Sequence, residues 1–552
     1  MVILSSYPGI SGKIFRASAV FLLLSFYPAT GQEATYNYFY RVFFRDKGQL
    51  NTNEFTLSDL FSVRAVERRQ KSGSHLPDFR DIPVNKDYLD QIALLGFRLH
   101  CTSRWMNTAL FKTVNSSDIN SLLNLPFVSD VKIVKNPGLK SKVADKLFFS
   151  TYADGPSVYD RPLSMLDGNA VHDSGFTGIG VLIAVLDGGF LNADNISSLG
   201  ELRARDGIKG TYDFVTNESF VYDYHNHGTA VLSVLSGLLP GLIAGMSPGA
   251  DYLLFRTEDV QSEFPAEEDY WIAGAELADS LGADIISSSL GYFTFDDPEL
   301  NYKYSDMDGN STFITRAADI AVSKGILVVC SAGNERTSDW MHIIAPSDGD
   351  SVLAVGAVNS INFISDFSSA GPAYDRRIKP DVVAQGVSVP VQTETSVTGR
   401  SNGTSFSCPM ISGMCACVMQ AVPQATVFDI LSAIPKASDR YLTPDSLYGY
   451  GIPDFVKLIS RLQEELVIKP LNESVISPNP FSDNLTVTFR QPPGSLTIEI
   501  LSSSGRLITK KEYKSNISRS LQIDGLGKIA PGIYFIRLST PVGKYVHKVI
   551  KI

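Results

Sequence analysis

The chain has 552 residues, which is too long for one ordinary hydrophobic core and indicates about three or four domains. Its 44% apolar and 19% charged residues describe a globular protein and exclude a disordered or coiled-coil one. The net charge of −10 is spread along the chain without a basic stripe, so nucleic acid is not expected as a partner.

The first 31 residues have the layout of an export signal. Lys13 and Arg16 precede an apolar run at 17–27, and small residues follow at 29–31. That run is too short to span a bilayer comfortably, and no other stretch approaches about 18 uninterrupted apolar residues. We therefore expect a signal peptide over 1–31 and a soluble, exported mature protein. The alternative is an uncleaved anchor or a buried helix.

Residues 32–137 alternate strand-like and helix-like patterns, which predicts a small α+β unit. Strands are expected at 36–44, 109–114 and 128–134, and helices at 87–95 and 117–123. Residues 138–154 carry several lysines and open with a stretch that has no clear apolar period, so we interpret them as an exposed linker.

From 155 to 462, apolar runs are followed by helical patterns. The runs lie at 181–186, 252–255, 283–287, 326–329 and 352–355. Such strands are typical of a parallel sheet covered by helices on both faces, so we expect an α/β domain here. Residues 463–552 change to short strands separated by turns, which predicts a small all-β sandwich.

Three short motifs of the α/β segment carry residue types that nucleophilic catalysis uses. Asp187 ends an apolar strand, where a side chain points into the crevice of a parallel sheet. His227 lies at the start of one helical pattern, in His-Asn-His-Gly-Thr, and Ser405 at the start of another, in Asn-Gly-Thr-Ser. Each motif alone is weak evidence, because Asp and Ser also favour turns and helix caps.

Together, in the order Asp, His, Ser, these motifs resemble those of the subtilisin-like serine proteases over about 155–462. The resemblance implies a serine endopeptidase in which Ser405 is the nucleophile, His227 its base and Asp187 the group that orients the base. A Ser-Ala-Gly-Asn-Glu motif implies that Asn334 donates to the oxyanion.

Further residues are interpreted through the same resemblance. Ser289, Leu290 and Gly291 look like the strand that pairs with the substrate backbone. Gly188 departs from the pattern, because the family usually has Ser or Thr there, so backbone donors must orient the Asp187 carboxylate. His225 is a rival for the base, but the Gly-Thr that follows His227 favours His227.

The five cysteines are too few and too irregularly spaced for a disulfide framework or a zinc site, and we expect buried small hydrophobes. They are Cys101, Cys330, Cys408, Cys415 and Cys417. Cys408 lies about one helical turn beyond Ser405, and we assign it to packing, because nothing marks it as a thiolate.

The flanking segments resemble known companions of such proteases. Residues 32–137 are similar to the propeptides of subtilases from Bacteroidetes-type bacteria, which implies an intramolecular inhibitor removed by cleavage within the 138–154 linker. The segment 463–552 resembles the sorting domain of the type IX secretion system, with markers at 477–483, 498–505 and 532–536. This implies a zymogen that acts on protein substrates and is exported through the outer membrane, by secretion machinery, to the cell surface or medium.

Three other functions are possible. A catalytically silent subtilisin fold serving as a binding or adhesin module would have lost one of the four catalytic positions, and none is lost. A sugar-binding sandwich would expose aromatics on one face, and an α/β-hydrolase esterase would carry a G-x-S-x-G elbow that is not evident. The chemistry requires no cofactor. Structural calcium is common in the family, but no DxDxDG loop identifies its ligands here.

Overall fold

The computed structural model describes residues 38–74, 76–114, 119–136, 147, 161–393, 398–468, 474–489, 493–503, 505–514, 517–518, 520–541 and 543–552. The expected signal peptide, and the expected linker apart from Leu147, lie outside these residues. The chain divides into two compact units, Met1–Ile459 and Ser460–Ile552. Within the described ranges, no helix is both long and apolar enough to cross a membrane.

The prosegment, residues 38–136, is the small α+β unit that the sequence predicts. Its elements are β1 (Tyr38–Phe44), α1 (Leu57–Leu60), α2 (Val63–Lys71), α3 (Lys86–Leu94), β2 (Arg98–Ser103), β3 (Thr108–Thr113), α4 (Ile119–Leu123) and β4 (Val128–Lys135). The four strands form one antiparallel sheet in the order β2-β3-β1-β4. Residues 115–118, where the helix of α4 was expected to begin, lie outside the described ranges.

The two faces of the prosegment sheet have different partners, because side chains alternate along a strand. On β1, Tyr40 and Val42 point into the prosegment's own core. The alternate residues point the other way: Arg41 donates to Asp269, and Phe43 packs against Phe313, both in the following domain. The sheet therefore has one face for its own stability and one for docking.

The next domain contains the predicted parallel sheet. Its elements are α5 (Arg161–Ser164), α6 (Gly168–Asp173), β5 (Leu182–Asp187), α7 (Gly200–Ala204), β6 (Ile208–Asp213), α8 (His227–Ser236), β7 (Leu238–Leu239), β8 (Ile243–Ala244), β9 (Asp251–Arg256), α9 (Ala266–Leu281), β10 (Ile285–Ser288), α10 (Phe313–Ser323), β11 (Leu327–Ser331), β12 (Leu353–Val358), β13 (Val382–Gln385), β14 (Val389–Gln392), β15 (Thr398–Ser401), α11 (Thr404–Ala421), α12 (Val427–Ala437) and α13 (Phe455–Ile468). Seven strands pair in parallel in the order β13-β12-β11-β10-β5-β9-β6.

The centre of this sheet is the point where the strand order reverses. From β5 the chain first adds β6 and β9 on one side and then crosses to β10 on the other. Ligand sites of open α/β sheets form at such switch points, outside the carboxyl ends of the strands. Asp187 ends β5 and Ser288 ends β10, so the two strand ends that border this point carry polar residues.

Helix α9 has the prosegment packed against it. All 16 of its residues are buried, including five acidic ones, although a helix at a domain surface normally keeps a polar face in water. The polar face is covered here by β2 and α2, and four of the five acidic side chains pair with prosegment arginines.

Beyond the end of α13, the second unit is all-β, as predicted. Its strands are β16 (Ser474–Ser477), β17 (Leu485–Phe489), β18 (Leu496–Ser502), β19 (Leu507–Tyr513), β20 (Ser520–Ile523), β21 (Gly532–Thr540) and β22 (Gly543–Lys551). They form two antiparallel sheets, β16-β17-β20 and β19-β18-β21-β22, around one apolar core. Phe481, Phe489 and Tyr534 are buried in that core, and Tyr513 and Tyr545 pack against it. Phe535 is half-buried and lies outside this cluster, so it is the one aromatic among the unit's described residues that does not pack in the core. A single ring does not make the aromatic face that a sugar-binding sandwich would need.

Candidate active site

Asp187 is fully buried at the end of β5, and its carboxylate is held from one side. Oδ1 accepts hydrogen bonds from Nδ1 of His227 at 2.8 Å and from the backbone N–H of Gly188 at 2.7 Å. Oδ2 has no hydrogen-bond partner among the described residues. Because position 188 is a glycine, a backbone group was expected to orient the Asp187 carboxylate. That donor is the N–H of Gly188, and it bonds the same oxygen as His227 does.

His227 is the first residue of α8, and the glycine after it brings the helix close to β5. A Cβ atom on Gly228 would lie 2.5 Å from the carbonyl oxygen of Gly189 and 3.0 Å from Cβ of Asp187, closer than carbon atoms pack. Thr229 Oγ1 donates to the carbonyl of Leu191 at 2.7 Å. The Gly-Thr pair thus fixes the helix start at the distance that the His227–Asp187 hydrogen bond needs.

The rival histidine has a different environment. Nδ1 of His225 accepts the backbone N–H of His227 at 3.2 Å, and the two rings lie 6.4 Å apart. The Asp187 carboxylate accepts a hydrogen bond from His227. This geometry favours His227 as the base.

Ser405 is the second residue of α11, so its backbone N–H is one of the four at a helix start that lack a partner within the helix. Gly403 precedes the helix with φ 148°, in a conformation that glycine adopts readily. Ser405 Oγ donates to the carbonyl of Ser289 at 3.4 Å. Phe406, the next residue, brings its ring to 6.1 Å from that of His227.

Asn334 follows β11 and faces the start of the same helix. Its Oδ1 accepts from the backbone N–H of Thr404 at 2.9 Å and from Oγ1 of Thr404 at 3.0 Å. Because both of these groups engage the oxygen, the amide nitrogen Nδ2 is left as a donor beside Ser405.

A cavity of about 500 Å³ lies beside the proposed nucleophile. Ser405, Asn334 and the segment 289–291 all line it, with 289–291 placed directly after β10. The acidic residues that line it are Glu258, Glu263, Asp296 and Glu335, and none of the described lining residues is basic. The sequence analysis did not predict this negative wall, because Glu258, Glu263 and Asp296 lie in loops outside any motif, and Glu335 was noted only as part of the Asn334 motif.

Three carboxylates beside the cavity lie close enough together to share a cation: one oxygen each from Glu258, Glu263 and Glu267 falls within 4.8 Å of the others. Glu267 already accepts the backbone N–H groups of Asp259 and Phe264, at 2.8 and 3.1 Å. Glu258 accepts from the hydroxyl of Tyr292. These hydrogen bonds explain why the three carboxylates lie together: they stabilise the loop between β9 and α9.

All five cysteines are free and buried, as predicted. Burial raises the pKa of the Cys408 thiol to about 12. Its Sγ lies 3.4 Å from the carbonyl of Val329 and packs beneath the start of α11. The thiol is therefore protonated near neutral pH and unsuited to be a nucleophile.

The prosegment contacts the catalytic domain through buried ion pairs that the sequence analysis did not identify. Asp279, fully buried near the end of α9, accepts from the guanidinium groups of Arg68, Arg69 and Arg104. The only sequence signal was the unusual density of arginines on α2 and of acids on α9.

Comparison with known proteins assigns each region to a family. Residues 178–451 match the subtilase family, residues 39–146 the peptidase S8 propeptide domain of Bacteroidota, and residues 475–552 a secretion system C-terminal sorting domain. The sorting domain indicates a secreted or cell-surface protein.

Two subtilisins agree with the family assignment. Subtilisin from Bacillus pumilus is 31% identical over 293 residues, which cover 52% of this chain and 94% of the relative. Subtilisin E from Bacillus subtilis (strain 168) is 31% identical, with 52% of this chain and 68% of the relative covered. Among solved structures, MycP1 from Mycobacterium smegmatis matches with a TM-score of 0.45 and 21% identity, over 58% of this chain and 89% of that one. The chain belongs to the subtilase family of serine peptidases.

Proposed function

We propose that this protein is an endopeptidase that hydrolyses peptide bonds in proteins through an acyl-enzyme formed on Ser405. The observation that carries the proposal is the 2.8 Å hydrogen bond between buried Asp187 and His227, at the strand end that borders the cavity lined by Ser405 and Asn334. A strand-end acid, an imidazole at a helix start and a serine at a second helix start are the parts of a nucleophilic triad.

The hydrogen bonds support a distinct role for each nitrogen of His227. A carboxylate only accepts, so Nδ1 of His227 must carry the hydrogen that it shares with Asp187. The other nitrogen, Nε2, is then the basic one. It takes the proton of Ser405 Oγ as the oxygen attacks the peptide carbonyl and returns it to the leaving amine; water then repeats the sequence on the acyl-enzyme.

The donors for the oxyanion are Nδ2 of Asn334 and the backbone N–H of Ser405. Thr404 holds Asn334 in place through both of its donors, so the amide is oriented before substrate binds. Donors fixed in advance stabilise the charge that develops in the transition state. Nucleophile, base and donors all come from the chain, so the proposed chemistry requires no cofactor.

The prosegment is proposed to inhibit the enzyme until it is removed. Leu147, which follows the prosegment in the chain, lines the same cavity as Ser405. A segment held in the cleft by a docked domain excludes other peptides. We further propose that the protein is exported with a cleaved signal peptide and crosses the outer membrane through the machinery that reads its sorting domain.

A fluorophosphonate probe with mass spectrometry tests the proposed nucleophile. Ser405 should be the labelled residue, and Ser405→Ala should lose both the label and peptide hydrolysis. Ser407→Ala, two residues further along the same helix, is the matched control and should keep both. A label that persists on another serine of the Ser405→Ala protein would overturn the assignment.

The same variant tests self-maturation. Active enzyme should begin between residues 138 and 160, whereas Ser405→Ala made in a protease-free host should retain its prosegment. N-terminal sequencing of both proteins gives the answer. Processing of the serine variant at the same bond would show that maturation is not autocatalytic.

A further inference from the structure

Arg256 is a buried cation at the strand end next to the proposed triad acid. It is the last residue of β9 and is paired in register with Asp187 of β5 on one side and with Asp213 of β6 on the other. Residues paired in register on adjacent strands point their side chains to the same face of the sheet. The row of three strand ends therefore places Arg256 between two buried carboxylates.

The guanidinium of Arg256 is held by the carboxylate of Asp213. Its Nη1 donates to Oδ2 of Asp213 at 2.8 Å, and both side chains are buried. Oδ1 of Asp213 accepts the backbone N–H groups of Val215 and Thr216, at 2.8 and 3.1 Å. Because both oxygens of this carboxylate are bonded, the guanidinium paired with it has a fixed position.

The same guanidinium contacts the far end of the connection that begins after Asp213. Residues 214–226 join β6 to α8 without a helix or strand, and His227 is the first residue after them. The guanidinium carbon of Arg256 lies 3.6 Å from the centre of the Tyr224 ring, which is a cation–π contact. One side chain thus ties the residue before the connection to a residue three positions before the proposed base.

The path from Tyr224 to His227 is short and closely packed. Nδ1 of His225 accepts the backbone N–H of His227 at 3.2 Å. A Cβ atom on Gly189, two residues after Asp187, would lie 2.8 Å from Cβ of Tyr224. A displacement of Tyr224 would therefore move the imidazole of His227 relative to the carboxylate that it must bond.

We infer that Arg256 is a positioning residue, which holds the 214–226 connection so that the imidazole of His227 stays aligned within the triad. The inference rests on the proposed peptidase function. Neither Arg256 nor Tyr224 is among the described residues that line the cavity beside Ser405, so the effect should fall on turnover and not on substrate affinity. A misplacement of about 1 Å at a catalytic group can lower the rate by about 10²-fold.

Exchanges of the Tyr224 ring test this role without leaving a buried charge unpaired. Tyr224→Leu removes the ring face on which the guanidinium lies and should lower kcat by about 10–100-fold, with KM within a few-fold of wild type. Tyr224→Phe keeps that face and should retain kcat within a few-fold. Phe220→Leu, which changes an exposed ring of the same connection, is the matched control and should behave as wild type. Hydrolysis of fluorescent casein is measured on enzyme matured from the full-length chain and normalised to the molecules whose Ser405 takes a fluorophosphonate label.

A mutant cycle tests whether Arg256 acts through Tyr224. Arg256→Gln combined with Asp213→Asn removes both charges of the ion pair and should lower kcat as Tyr224→Leu does, and adding Tyr224→Leu should lower it little further. If the protein with both charges removed does not fold, the two Tyr224 variants decide the question alone. Wild-type kcat in Tyr224→Leu, an equal loss in Tyr224→Phe, losses that multiply independently, or a defect confined to KM refutes the positioning role. If instead wild type and Phe220→Leu hydrolyse no casein and Ser405 takes no label, the proposed function itself has failed.

Discussion

Asp279 offers a quantitative test of how the prosegment is held, through the change Asp279→Asn. The substitution keeps the size of the side chain and removes its charge. Burial by itself would raise the pKa of Asp279, but Arg69 and Arg68 outweigh it and hold the pKa well below its usual range. The carboxylate is therefore ionised at neutral pH and balances a buried cluster of arginines.

The expected loss of stability depends on the buried arginines that Asp279→Asn leaves without their carboxylate partner. Arg68, Arg69 and Arg104 are all buried. After Asp279 is neutralised, Arg69 keeps its hydrogen bond to Asp81 at 2.9 Å and Arg104 its ion pair with Glu276 at 3.7 Å, whereas Arg68 keeps no hydrogen-bonded carboxylate among the described residues. Removing one partner of a buried ion pair costs about 3–5 kcal/mol, because the remaining charge stays out of water. We expect the free energy of unfolding of the first compact unit to fall by about that amount.

Urea unfolding of the full chain, followed by tryptophan fluorescence, measures this loss. The three tryptophans, Trp105, Trp271 and Trp340, all belong to the first unit, so the signal reports on that unit. A Ser405→Ala background keeps the prosegment attached. Asp90→Asn, which disrupts the exposed Lys86–Asp90 pair of the prosegment, is the control and should leave the transition unchanged. A decrease below about 1 kcal/mol in Asp279→Asn would refute the argument.

Three further outcomes are expected. Asn334→Ala should lower turnover by about 10²–10³ with little change in KM, because its hydrogen bond forms fully only in the transition state; a defect confined to KM would remove it from the oxyanion site. His227→Ala should be as damaging as Ser405→Ala, since triad members act as a unit, while His225→Ala should retain most activity in the same peptide assay. Burial lowers the pKa of His100, which packs against the catalytic domain, to about 3. The unfolded chain, titrating near 6.5, then binds the extra proton below that pH, so the free energy of unfolding should fall between about pH 6.5 and 3, and less steeply in His100→Gln.

The proposed catalytic residues could be selected from the sequence because each stands in a short motif with recognisable local chemistry. Gly228 is needed for close approach and Gly403 for an unusual backbone angle, and both are visible in the sequence beside the residue they serve. The central strands were predictable for a similar reason: β5 is buried along its whole length and therefore consists almost entirely of apolar residues.

The residues that were missed depend on partners far away in the chain. The sequence analysis did not predict the edge strand β6, which includes Lys209 and Gly210, because one side of an edge strand can remain polar. Arg68 and Asp279 are separated by 211 positions, and the usual pattern is inverted there, with charged side chains buried on both helices. A periodicity rule assigns such charged residues to the surface. Their burial can be predicted only when the segment that pairs with them is known.

The accessibility of Lys324 to chemical modification reports whether the prosegment is docked. The ammonium group of Lys324 belongs to the catalytic domain and is buried, yet its hydrogen bonds are to Asp78 and Asp81 of the prosegment. An amine-acylating reagent cannot reach this nitrogen while the prosegment is docked and gains access when it leaves. The extent of acylation of Lys324, read by peptide mapping, therefore counts the molecules that have shed their prosegment, independently of any substrate.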